Sequence, residues 1–290
     1  MFEGIYTALI TPFRNGQVDE AALRAHVERQ IDAGIDGLVP CGSTGESATL
    51  SHAEHRRVVE LVVETVSGRV PVMAGTGSNN TREAIELTLH ARDAGASGAL
   101  LISPYYNKPT QQGIVEHYAA VAEATEFPLV VYNIPGRTGS NILPDTLAQL
   151  ACIEHVMGVK EACGDIDQIA HVVAACPEDF VVLSGDDAMT LPLIAVGGAG
   201  VISTTSNVAP TRMQALTRAA IAHDFTTARA LHQQLLPLFD VLFCETNPIP
   251  LKAALALQCH IADELRLPLT LITDANRERL CVVLKDLGLL

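Results

Sequence analysis

Short aliphatic runs return eight times along this chain, each followed by a stretch with the apolar spacing of an amphipathic helix. The runs fall at 5–10, 37–40, 70–74, 98–103, 129–133, 156–160, 180–184 and 200–204. Helical patterns such as 20–33, 52–66, 82–94 and 113–124 lie between them. Strand and helix alternating eight times is the pattern of a closed parallel sheet wrapped in helices. The spacing therefore predicts an α/β fold, a TIM (β/α)8 barrel. Such a barrel runs to roughly 250 residues as one unit, so a chain of 290 residues has room for one and an extension. Asp32-Ala-Gly-Ile-Asp-Gly-Leu-Val39 and Asp93-Ala-Gly-Ala-Ser-Gly-Ala-Leu100 each end a helix on glycine and re-enter a strand, and Gly197-Gly-Ala-Gly-Val-Ile202 looks like a shortened third copy. Independent αβ turns built on the same positive-φ chemistry would read alike; either origin favours the barrel over a sandwich.

After about residue 224 the alternation stops. Segments 224–243, 250–258 and 274–286 read as helices, punctuated by Pro248, Pro250 and Pro268. The expected organisation is a catalytic barrel over 1–224 and a helical C-terminal domain over 225–290, packed on the barrel without a low-complexity linker.

Composition narrows the partners. Lys+Arg is 19 against 33 Asp+Glu, a formal charge of -14, and a polyanion needs clustered cations. No nucleic-acid partner is expected, whereas a small anion held by one or two cations stays open. Hydrophobic content of 48% with 18% charge supports a folded core. No apolar run approaches the roughly 18 residues of a membrane span, and positions 1–10 lack a basic start followed by a long apolar stretch. The seven cysteines are scattered without a C-x-x-C pair, as free thiols of a reducing compartment would be. A cytoplasmic protein with no membrane partner is the expectation.

In such a barrel, chemistry sits at the C-terminal ends of the strands. Those ends read Thr11-Pro12, Gly42-Ser-Thr-Gly-Glu46, Gly75-Thr-Gly77, Ser103-Pro-Tyr-Tyr106, Tyr132-Asn133, Lys160-Glu161, Ser184-Gly-Asp-Asp187 and Thr204-Thr-Ser-Asn207. They carry hydroxyls, carboxylates and one lysine but no histidine or cysteine, so no metal set is expected. The chain has only four lysines; Lys160 alone ends a strand-like run, while Lys108, Lys252 and Lys285 read as solvated loop or helix positions. A lysine in a barrel mouth is desolvated, its pKa falls, and the neutral amine forms a Schiff base with a carbonyl. An ion pair with Glu161 or a loop carboxylate would explain the position equally well. Tyr132, one strand earlier, is placed either to relay protons or to wall the mouth. Arg137 suits bidentate carboxylate recognition or a loop-bracing salt bridge. Gly42-Ser-Thr-Gly45 reads as a glycine-rich loop opening the next helix and offering N–H groups to an anion. It lacks the Walker ending, and Asp186 and Asp187 disfavour a phosphate, so a carboxylate at Ser43 and Thr44 fits better.

Together these residues resemble a known family. Gly42-Ser-Thr-Gly-Glu-Ser47, Tyr105-Tyr106-Asn107, Tyr132-Asn-Ile-Pro-Gly-Arg-Thr-Gly139, Gly158-Val-Lys-Glu-Ala162 and Ser184-Gly-Asp-Asp187 are similar to the motifs of the Schiff-base pyruvate lyases, and within them to the dihydrodipicolinate synthase family. The likeness runs essentially from Met1 to Leu290 and includes Asn247-Pro-Ile-Pro250. It implies that Lys160 condenses with pyruvate and that the enamine attacks L-aspartate-4-semialdehyde on the route to lysine and diaminopimelate. The covalent imine stands in place of a cofactor. Thr44, Tyr132 and Tyr106 would form a proton relay, Tyr106 reaching into a neighbouring subunit of a homotetramer. Ser43 and Thr44 would hold the pyruvate carboxylate and Arg137 the semialdehyde's, with Gly185 and Ile202 lining the pyruvate site. Ser47, Ala48, His52, His55, Asn79, Glu83 and Tyr105 match an inhibitory site for L-lysine. Read without the family, His52 and His55 are a solvated helix N-terminus or adventitious metal ligands.

Ser43 stands where the synthases commonly carry threonine, a feature shared with sialic-acid lyases. A sister aldolase acting on a 2-oxo sugar acid, sialic acid or 4-hydroxy-2-oxoglutarate is therefore the rival reading, though it has no evident use for Arg137. A non-catalytic keto-acid or lysine sensor is the alternative from another class; the set of Lys160, Tyr132, Thr44 and Tyr106 argues against it.

Overall fold

The fold was analysed in a computed structural model, which describes residues 2–290. Eight parallel strands form the barrel among the described residues: β1 (Gly4–Ala8), β4 (Gly37–Val39), β5 (Met73–Gly75), β6 (Gly98–Ile102), β7 (Leu129–Asn133), β8 (Val156–Glu161), β9 (Val181–Ser184) and β10 (Gly200–Ser203). Their order is β4-β1-β10-β9-β8-β7-β6-β5, and a parallel bridge from Leu38 to Val72 brings the two ends together. A closed ring leaves no unpaired edge. The eight predicted runs are the eight strands. The third begins later than the spacing suggests, because Pro71 has no N–H to give to a ladder.

Side chains alternate across the sheet. Tyr6, Ala8, Val130, Tyr132, Leu183 and Ile202 fill the barrel interior, while Ile5, Leu129, Val131 and Val182 face the helices. Those helices are α1 (Glu20–Asp32), α2 (His52–Val66), α3 (Thr81–Asp93), α4 (Gln111–Thr125), the short α5 (Pro135–Thr138), α6 (Pro144–Leu150), α7 (Ile166–Ala175), α8 (Thr190–Ala195) and α9 (Pro210–Ile221). Asp19, Ser51, Asn80, Thr110 and Asp165 cap five of them with side-chain acceptors, which satisfies N–H groups that have no partner inside the helix. After α1 and α3 the chain turns on Gly34 and Gly95 at φ 77° and 88°, so the repeated Asp-Ala-Gly segments are αβ turns.

Besides the short α5, a hairpin was not anticipated. β2 (Phe13–Arg14) and β3 (Gln17–Val18) form a small antiparallel hairpin after β1, turning on Asn15 and Gly16, both at positive φ. Asn-Gly favours that turn; the flanking strands are too short to show a period.

Beyond α9 come α10 (Phe225–Leu242), α11 (Ile249–Leu257) and α12 (Asp274–Asp286). The expectation of Lys252 as a solvated position is corrected here. Seven consecutive residues of α11, Ile249 to Leu255, are buried, and Lys252 is wholly enclosed in an ion pair with Glu46. α11 packs on α10, α12 and the turn at 205–207 that follows β10. All seven cysteines are free, and no helix among the described residues is long and apolar enough to cross a membrane.

Candidate active site

Lys160 occupies the inward register of β8 and pairs across the sheet with Tyr132 of β7. Its ammonium nitrogen lies 4.3 Å from the centroid of the Tyr132 ring. Burial pushes the amine down to about 8, partly opposed by the Asp187 carboxylate, with the Arg137 guanidinium lowering it further. A neutral nucleophile is thus accessible near neutral pH. An ion pair with Glu161 is excluded by strand alternation. Glu161 faces the other side, where it accepts from Asn133 Nδ2 at 2.9 and 3.1 Å and from the Cys163 N–H at 2.8 Å. Gly185 makes room for the lysine: a Cβ there would stand 3.0 Å from Lys160 Cε and 2.8 Å from Ala162 Cβ. Ile202 is buried in the interior cluster with Tyr132 and Leu183.

Tyr132 is pushed up to about 12, chiefly by burial, with Arg137 and a Ser43 hydrogen bond acting against the rise. It is a neutral phenol in the working range, able to donate. Thr44 is buried, and its hydroxyl accepts from Asn247 Nδ2 at 2.9 Å. The reading of Gly42–Gly45 as a loop opening the next helix is corrected. α2 begins only at His52 and is closed by its own capping box of Ser51 and Glu54. The turn closes on itself: Gly45 and Glu46 donate back to Gly42 and Ser43, leaving the Ser43 and Thr44 N–H groups without a backbone acceptor among the described residues. Arg137, in α5, is exposed at the mouth and donates to the Asn247 carbonyl at 3.0 Å.

A cavity of about 490 Å³ joins Ser43, Tyr132, Arg137 and Asn247 to the second predicted set, of which Ser47, Ala48, His52, His55, Glu83 and Tyr105 line it. His52 is exposed and meets Glu83 at 2.9 Å, while Ser78 takes the other Glu83 oxygen. His55 is not a solvated helix-end residue: it is buried and donates from Nε2 to the Gly75 carbonyl at 2.8 Å. Burial lowers its pKa, so it is a neutral imidazole. Asn79 is not on the wall but ties down the Tyr105 carbonyl at 3.0 Å. Tyr106 stands apart, 89% exposed and at φ 72°, outside the cavity.

Two contributors escaped the sequence reading. Asn247 touches both Thr44 and Arg137 from the helical extension, and no local pattern announces a partner more than a hundred residues away. Asp187 is buried, with Oδ2 accepting from the N–H groups of Thr204 and Thr205 at 3.1 and 2.8 Å. Its sequence signal was the carboxylate at a strand end, but a role toward Lys160 needs the tertiary structure.

A desolvated lysine at the mouth of a (β/α)8 barrel, beside a neutral phenol, defines a Schiff-base-forming lyase, and the protein is an enzyme of that class. More narrowly, residues 1–287 match the model of the dihydrodipicolinate synthetase family, and the chain belongs to that family. It is 54% identical over 290 residues to the 4-hydroxy-tetrahydrodipicolinate synthase of Syntrophus aciditrophicus (strain SB), covering 100% of both chains. The crystal structure of dihydrodipicolinate synthase from Aquifex aeolicus superposes with a TM-score of 0.98 at 47% identity, with 99% of each chain covered. DHDPS from Cyanidioschyzon merolae with lysine bound superposes with a TM-score of 0.97 at 39% identity, covering 100% of this chain and 99% of that one.

Proposed function

We propose that the protein joins pyruvate to L-aspartate-4-semialdehyde, the reaction of a 4-hydroxy-tetrahydrodipicolinate synthase, with pyruvate carried as an imine on Lys160. The observation that supports this most is the pairing of Lys160 and Tyr132 across β7 and β8, with a buried amine at about 8 and a buried phenol at about 12. Neutral Lys160 adds to the pyruvate carbonyl carbon, and Tyr132 protonates the departing oxygen, which leaves as water. Loss of a methyl proton gives the enamine, whose carbon attacks the semialdehyde aldehyde. The semialdehyde nitrogen then displaces Lys160 at the former carbonyl carbon, closing the ring and regenerating the amine. No resident cofactor enters these steps. Ser43 and Thr44 hold the pyruvate carboxylate through hydroxyls and free N–H groups, with Gly185 and Ile202 lining the pyruvate site. Arg137 holds the carboxylate of the second substrate.

In this reading Thr44, Tyr132 and Tyr106 pass the proton. Tyr106, too exposed to act within its own chain, serves a neighbouring subunit of a homotetramer. The set of Ser47, Ala48, His52, His55, Asn79, Glu83 and Tyr105 binds L-lysine as an inhibitor; a relative with lysine bound supports this. The helices of 225–290 complete the catalytic unit, because Asn247 reaches both Thr44 and Arg137.

The deciding experiment is borohydride reduction in the presence of pyruvate followed by peptide mass mapping. An adduct at Lys160 is expected; an adduct elsewhere, or none, overturns the mechanism. Arg137→Ala should raise the semialdehyde KM by one to two orders of magnitude, roughly the worth of a lost charge-assisted contact, with trapping of pyruvate largely kept. Equal loss of both would reject its role. L-lysine titrated into the assay should inhibit, and no effect at millimolar levels would remove the second site.

A further inference from the structure

We propose that the buried Glu46–Lys252 ion pair is a positioning device for the turn that holds the pyruvate carboxylate, so that α11 sets the geometry of the catalytic loop. The inference rests on the reading that Ser43 and Thr44 bind that carboxylate.

Both side chains are wholly buried, and Lys252 Nζ lies 2.5 Å from Glu46 Oε1. The other oxygen, Oε2, accepts the Arg266 N–H at 3.2 Å. Lys252 also sits over the Phe13 ring at 4.1 Å, and the Arg266 guanidinium lies over that ring at 4.3 Å. Three segments distant in sequence, the β2–β3 hairpin, the 42–46 turn and the C-terminal extension, therefore meet at one enclosed carboxylate.

Glu46 is an unlikely residue for its own backbone. It stands at φ 52°, ψ 36°, left-handed space that disfavours side chains with a Cβ. A residue kept there is held by its surroundings, and here the holding group is the ion pair. Only Gly45 separates it from Thr44. The intervening peptides are also pinned: Thr11 donates to the Gly45 carbonyl at 2.7 Å, and Asn247 donates to the Thr44 hydroxyl. Each anchor fixes one end of a tight turn whose Ser43 lines the cavity and whose Ser43 and Thr44 N–H groups have no backbone acceptor. If the Glu46 carboxylate is freed, φ can relax, and the Ser43 and Thr44 groups lose their fixed placement.

A purely stabilising role accounts less well for the arrangement. Taking two charges out of water costs several kcal/mol per ion, and well-packed apolar pairs often replace buried ion pairs without loss of stability. What an apolar pair would not supply is a directed grip on one loop carboxylate from a helix that also carries Asn247 at its entrance.

The test compares imine trapping by borohydride with two ketones, pyruvate and acetone, which share the carbonyl but not the carboxylate. In the wild type pyruvate should be strongly preferred. Thr44→Val probes the underlying reading first: if the pyruvate-to-acetone ratio does not fall, the carboxylate assignment fails. With that ratio responsive, Lys252→Met and Glu46→Gln should each lower it about tenfold while acetone trapping at Lys160 stays within about twofold. The pyruvate KM should rise in parallel, with the acid limb of the pH profile unmoved. The double variant Glu46→Gln with Lys252→Met leaves no lone buried charge; it should fold and keep the lowered ratio. Lys252→Arg, retaining a cation, should recover part of it, and that variant carries the comparison if the others do not fold. A folded variant in which pyruvate and acetone trapping fall together, or in which neither falls, overturns the proposal.

Discussion

At the scale of single residues, the site works by desolvation. Lys160 is brought to about 8 by burial, while Asp187 pulls the other way. The sign of the pH dependence follows. Imine formation needs the neutral amine, so its rate should rise about tenfold per unit below pH 8 and level off above it. A stopped-flow or trapping profile with pyruvate checks this. Asp187→Asn removes the charge that favours the ammonium form and keeps an acceptor for the Thr204 and Thr205 N–H groups. The acid limb should therefore move to lower pH; an unmoved or raised limb would show that Asp187 does not act on Lys160. Gly185→Ala puts a Cβ 3.0 Å from Lys160 Cε. Misplacing a nucleophile by a fraction of an ångström should cut imine formation at least about tenfold, with the far-UV CD spectrum unchanged. The sequence made Lys160 conspicuous through the scarcity of lysine, and strand alternation then removed Glu161 as its partner. The same scarcity misled at Lys252, because a helical position says nothing about what is packed over it.

Elements were the most legible scale. Each barrel strand buries both faces, so its aliphatic run stands out, and α1, α2, α3, α4, α7 and α10 open on a side-chain cap. What local pattern missed were pieces too short to carry a period: the six-residue hairpin and α5. Stability should track the same features. Ser51→Ala removes the capping box of α2 and should cost about 1 kcal/mol in urea unfolding with trapping of pyruvate retained. Gly200 begins β10 at φ 153°, and a Cβ there would lie 1.9 Å from the Gly4 carbonyl oxygen. Gly200→Ala must therefore part β1 from β10, and a loss of more than about 2 kcal/mol is expected. A variant unfolding at the wild-type urea midpoint would show that the barrel tolerates the opening.

At the scale of the molecule, the barrel and the helical extension meet at the proposed site, since Asn247 and Lys252 both reach the 42–46 turn. Assembly adds a further level. If Tyr106 serves a neighbouring site, Tyr106→Phe and Lys160→Ala subunits, each nearly inactive alone, should regain a fraction of wild-type activity when refolded together. No recovery in a verified hybrid would place Tyr106 outside the relay. By itself the sequence determined the barrel, the strand ends where chemistry gathers and the one lysine placed to become a nucleophile, because period and punctuation are local properties of the chain. Only the tertiary structure decided how far the Lys160 amine falls, which carboxylate opposes it, and that a lysine of the extension grips the catalytic turn. Those outcomes depend on solvent exclusion and on contacts between residues more than a hundred positions apart, which no local pattern encodes.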